Sequence, residues 1–142
     1  MRYRTEAEIE EVVRTFEDGT ISRVAWKHAE HLTVALHYLS LYDFDMATEK
    51  MRSGIFNLLR AFEVDLTKEM PYHETMTVFW MRAVAGYNAS KNGVALLDKA
   101  NEMIELLDKE YPLRFYSREL LFSDKARSSF VEADIKPLEA DG

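Results

Sequence analysis

Trp26-Lys27-His28-Ala29-Glu30-His31-Leu32 opens a run that stays apolar on almost every side as far as Tyr42. A helix of that kind runs through the middle of a domain, not along its surface. It predicts an architecture in which other helices surround a central one. At about 100° per residue, one stripe carries Val24, His28, His31, Leu32, Ala35, Tyr38, Leu39 and Tyr42. The opposite arc holds Trp26, Glu30, Thr33, His37 and Ser40. Thr20 or Ser22 is the expected N-cap. Only the second arc is left for solvent or a partner, and Trp26 points to partial cover even there.

The segments on either side fit that plan. Thr5-Glu6-Ala7-Glu8 reads as a capping box, followed by Ile9, Val12, Val13 and Phe16 at helical spacing and a stop at Asp18-Gly19. Asp43 or Asp45 caps a third helix reaching Phe62, with Gly54 beside its apolar stripe, where a neighbour could approach closely. A fourth helix over 73–89 carries His73, Thr77, Trp80, Val84 and Tyr87 along one line. A fifth over 94–110 buries Leu96, Leu97, Ala100, Met103, Ile104 and Leu107. Ser117 and Ser123 cap two short helices, 118–122 and 124–131. The expectation is an all-α fold: a four- to five-helix bundle over 1–142, with short C-terminal helices and 132–142 an extended acidic tail.

Composition removes several function classes. Five Gly and three Pro in 142 residues leave few tight turns, which disfavours a sandwich or barrel. A net charge of -7 gives no basic face for nucleic acid or for an anionic membrane. The absence of cysteine excludes disulfides, thiolate chemistry and Cys-ligated metals. No signal-peptide pattern and no run of about 18 apolar residues occurs, so the expected location is the cytosol. Neither a Gly-rich phosphate loop nor a G-x-S-x-G elbow is present, so there is no nucleotide cofactor motif.

The remaining chemistry concentrates on histidine. His28 and His31 share one helical face, and His73 opens a second apolar stripe. In an up-down bundle, helices two and four run parallel, which puts these three imidazoles at one level. Three nitrogens with an open position make a metal site for water or substrate. Such a site would take Zn, Fe, Mn or Ni and act on a small-molecule substrate by hydrolysis or metal-assisted transfer. Trp26, Tyr38, Tyr72, Glu74 and Thr77 would wall the pocket or orient its ligands. Arg127 would anchor an anion there or pin the tail. The zinc-protease pattern H-E-x-x-H fails, because its last position is Thr77. The other reading makes the histidines core hydrogen-bonders. The chain is then a non-catalytic module that binds a small molecule or a protein, with Trp26 and His37 on a contact face and copies of the chain associating through it.

The set Trp26-x-His28-x-x-His31-Leu32, Tyr72-His73-Glu74-Thr75-x-Thr77 and Leu120-Leu121-Phe122-Ser123-x-x-Ala126-Arg127 resembles a family of small bacterial helical proteins. The resemblance implies a grouping and assigns no activity. In architecture alone the chain is similar to DinB-like bundles, a likeness that implies a metal held by three histidines, although the histidine spacing differs here.

Overall fold

Thr5 closes the expected capping box with Glu8, and α1 (Glu6–Asp18) ends at Gly19, whose φ of 73° suits glycine. The computed structural model describes residues 2–69 and 71–138, and every element in it is helical. After α1 come α2 (His28–Leu41), α3 (Phe44–Ala61), α4 (Glu74–Ser90) and α5 (Leu96–Leu106). A 3-10 turn (Tyr111–Arg114) and two short helices, α6 (Arg118–Leu121) and α7 (Asp124–Ser128), follow. The protein is an all-α bundle. Its α2 packs against α1, α3, α4 and α5, and the consecutive residues Leu32, Thr33, Val34, Ala35 and Leu36 are all buried. Burial on every side is what the apolar run predicts. No helix among the described residues is long and apolar enough to cross a membrane.

Three boundaries differ from expectation. α2 starts at His28, not at Thr20 or Ser22. Ser22 instead caps a single turn, its Oγ accepting the Ala25 N–H at 3.1 Å, and Lys27 is the extended N-cap of α2. The break lets the chain bend so that Trp26 stacks on Phe16 of α1, with centroids 4.8 Å apart. Val24, placed on the buried stripe by helical phase, is consequently 78% exposed. α5 stops at Leu106, where the chain turns into the 3-10 segment that carries Pro112. α7 stops at Ser128.

The second arc of α2 is covered at Glu30 and Thr33, while His37 is half-buried and Ser40 exposed. Arg2 pairs with Glu30, which is buried, and Thr33 donates to Ala29 O at 2.8 Å, so the Tyr3 hydroxyl donates to Thr33. Asn101 of α5 holds the Tyr3 backbone at both ends, accepting its N–H at 2.8 Å and donating to its carbonyl at 2.9 Å.

The C-terminal segment is tied down rather than frayed as far as it is described; residues 139–142 of the expected tail lie outside the described residues. Phe115 O accepts from the N–H groups of Ile135 and Lys136, Asp134 accepts from the backbone and hydroxyl of Ser117, and the Tyr116 hydroxyl donates to Val131 O. Thr75 makes the link to α4. It is fully buried, donates to Ser129 O at 3.0 Å and accepts from Val131 N–H at 3.2 Å. Thr75→Val keeps the shape and takes away the partner of the Ser129 carbonyl and the Val131 amide, so it is expected to cost about 2 kcal/mol. Chemical denaturation would measure the loss, and hydrogen exchange at Val131 should quicken. An unchanged exchange rate would contradict this role.

Candidate functional site

His73 is the N-cap of α4. Its extended backbone turns the ring back so that Nδ1 accepts the Met76 N–H at 3.1 Å. With Nδ1 an acceptor, the proton sits on Nε2, which donates to Leu121 O at 2.7 Å. Both nitrogens are thus committed to backbone groups. Burial holds the His73 pKa below its ordinary value, helped by the positive charge of nearby Arg127 and opposed by the bond to Leu121.

His28 Nε2 lies 2.7 Å from Leu107 O, one of the carbonyls that the end of α5 leaves without an intrahelical partner. Its ring packs against Trp80, centroids 4.7 Å apart. Trp80 comes seven residues after His73, about 10 Å further along α4. His28 therefore sits against the middle of α4, and the expected match of levels between the two helix starts is not what the packing gives. His31 lies beside Trp26, ring centroids 5.9 Å apart. Its residue keeps some exposure, but its Nε2 is sealed from solvent and has no hydrogen-bond partner. Burial, then the neighbouring His28, pushes its pKa down to about 4. Among the described residues, no three His, Asp or Glu side chains are placed to hold one ion. The histidines meet helix ends and core, and as arranged they do not fit the three-nitrogen ligand set.

The other singled-out residues fasten the same elements. Glu74 accepts two bonds from Arg52, at 3.0 and 2.7 Å, and one from the Tyr72 hydroxyl. Arg52 above all keeps the Glu74 carboxyl below the usual range. Desolvation, then the bond to Glu74, raises the Tyr72 phenol to about 12. Thr77 donates to His73 O at 3.0 Å, a backbone role. Arg127 faces His73 and, among the described residues, makes no ion pair with Glu74, Glu119 or Asp124.

Tyr38 points to a place the histidine pattern does not mark. Its hydroxyl donates to Glu17 at 2.8 Å on the wall of an open cleft of about 480 Å³ between α1, α2 and α3. Phe16 and Gly54 form its floor, and Glu49, Lys50, Ser53 and Asn57 its α3 side. The floor exists because position 54 has no side chain: a Cβ there would stand 2.2 Å from Phe16 Cζ. Glu49 is held by Arg52 and accepts from Ser53, whereas the Lys50 ammonium rests 4.8 Å from the Tyr42 ring centroid. Glu17 is bonded by a neutral phenol, and its charge is left uncompensated by that contact. The signal available in the sequence was the row Glu49, Ser53, Asn57, polar every fourth residue next to a mid-helix glycine. Such a row has the same pattern as a solvated face.

Compared with known proteins, the chain matches no family model, no curated protein and no solved structure.

Proposed function

We propose that this chain is a non-catalytic helical module that binds a small polar molecule in the cleft between α1, α2 and α3, with its histidines serving the fold. The observation that carries this reading is the cleft itself. Its volume lies within the range of about 300–1,000 Å³ usual for ligand sites. Phe16 lies beneath it, and Glu17, Tyr38, Glu49, Lys50, Ser53 and Asn57 line it with carboxylate, ammonium, hydroxyl and amide groups. The engaged nitrogens of His28 and His73 support the second half, since the metal-dependent alternative requires His73 to give up at least the cap of α4. A small-molecule partner also suits a chain of net charge -7, which disfavours nucleic acid and anionic membranes.

Protein purified without a histidine tag is expected to carry less than about a tenth of an equivalent of any transition metal, and added Zn2+ or Mn2+ should leave its Tm unchanged. A stoichiometric metal would return the three-histidine enzyme to first place. In parallel, NMR screening against small amines, zwitterions and sugars is expected to move the backbone amides of Glu17, Lys50, Ser53 and Asn57. If no such ligand moves them, the cleft is not a binding site.

A further inference from the structure

A second concavity shares no residue with the cleft, so success or failure of one leaves the other untouched. Phe79, Tyr111 and Phe115 meet pairwise with ring centroids 5.3–5.8 Å apart. With Arg82, Gly86 and Leu138 they line a half-open slot of about 70 Å³. Arg82 is part of its lining, and two more cations lie over its rings. The Arg114 guanidinium is 5.2 Å from the Tyr111 centroid, the Lys136 ammonium 5.3 Å from that of Phe115, and Arg82 4.9 Å from that of Phe130. Among the described residues none of these three side chains makes an ion pair, whereas Arg2, Arg14, Arg23, Arg52, Lys91 and Arg118 all reach carboxylates. In a chain of net charge -7, three cations without an ion pair among the described residues gather on one aromatic cluster, with Glu132 and Asp134 also close to it.

Gly86 adds an independent observation. It lies inside α4, where glycine weakens a helix relative to alanine. Its φ is not positive, and a Cβ built there meets nothing within 4 Å, so neither a turn nor close packing calls for it. Gly86 lines the slot, so a long side chain placed there would add bulk beside it.

We propose that the slot binds a small carboxylate carrying a single aromatic ring. The ring sits in the open mouth of the slot, edge-on to the wall that Phe79, Tyr111 and Phe115 form, in the edge-to-face manner of aromatic pairs. The carboxylate meets Arg82, whose fork of donors matches it, while Arg114 and Lys136 add positive field.

The test is an NMR titration with phenylacetate at low ionic strength, with acetate and phenylacetamide as the ring-free and charge-free controls. Phenylacetate is expected to saturate, shifting amides in 79–86 and 111–115, with both controls at least about tenfold weaker. Gly86→Leu should keep or raise the Tm and weaken phenylacetate about tenfold or more. Arg82→Gln, which leaves the walls in place, should erase most of the preference for phenylacetate over phenylacetamide. The proposal is overturned by no saturation below about 10 mM, by equal binding of phenylacetamide, by a folded Gly86→Leu protein of unchanged affinity, or by an Arg82→Gln protein that keeps the charge preference.

Discussion

Gly54→Ala is expected to destabilise the protein by about 2–3 kcal/mol. Helix propensity alone predicts the opposite sign, a gain of about 1 kcal/mol inside α3. Packing decides it. The new methyl would stand 2.2 and 2.3 Å from Phe16 Cζ and Cε2. That ring is wholly buried, stacked on Trp26 at 4.8 Å and set edge-on to Tyr38 at 6.4 Å, so any retreat costs those contacts. Urea unfolding of Gly54→Ala, Phe16→Leu and the double variant would measure the effect. Phe16→Leu should be destabilising by itself, and the double variant should lose less than the sum of the two, with a coupling of about 1–2 kcal/mol. A Gly54→Ala protein as stable as the parent would refute the close approach, and with it the account of how the cleft floor is made.

Stability is expected to fall by roughly 3 kcal/mol as pH drops from 6.5 to 4. The source is His31, ordinarily near 6.5 and pushed down to about 4 in the folded protein. The unfolded chain binds that proton first, so stability is complete above about pH 6.5. It then declines by about 1.4 kcal/mol per pH unit and levels off below the folded value. His73, also lowered, adds to the loss in the same direction. Glu74, held ionised by Arg52, loses its stabilising charge only at lower pH, below the ordinary carboxyl range, so the upper part of the window belongs to histidine. Denaturation curves at pH 7.5, 6.5, 5.5 and 4.5 would trace the slope. His31→Leu should remove most of it and cost at most about 1 kcal/mol at pH 7, because the sealed Nε2 has no bond to lose. A flat profile in the parent, or the same slope in His31→Leu, would show that the imidazole reaches water.

The all-α plan was legible because its signals were local and redundant. The run after His28 is apolar in every direction, and Thr5, Asp43, Ser117 and Ser123 each cap the helix expected of them. The start of α2 was misplaced because two cap-competent residues, Thr20 and Ser22, precede a pattern that runs on unbroken. The turn that breaks it exists to lay Trp26 on Phe16, a contact between segments. The histidine site failed to assemble for a related reason. Spacing along a helix fixes direction but not height, and the packing of α2 on α4 sets His28 against Trp80, well past His73. Nor does spacing show which acceptors will be free. The carbonyls of Leu107 and Leu121 take up two of the imidazoles. The cover over Glu30 and Thr33 could not be read at all, since Arg2 and Tyr3 carry no pattern that points there.

That cover also bears on how the chain emerges during synthesis. Tyr3 is held by Asn101, 98 residues later. At roughly 5–20 residues per second, the first residues wait roughly 5–20 s for the partner that fixes them. Until then α2 exposes Glu30 and Thr33 without their lid, whatever the earlier helices have built around its other sides. Tyr3 is thus put in place only after α5 has been made, although α1 and α2 precede it in synthesis.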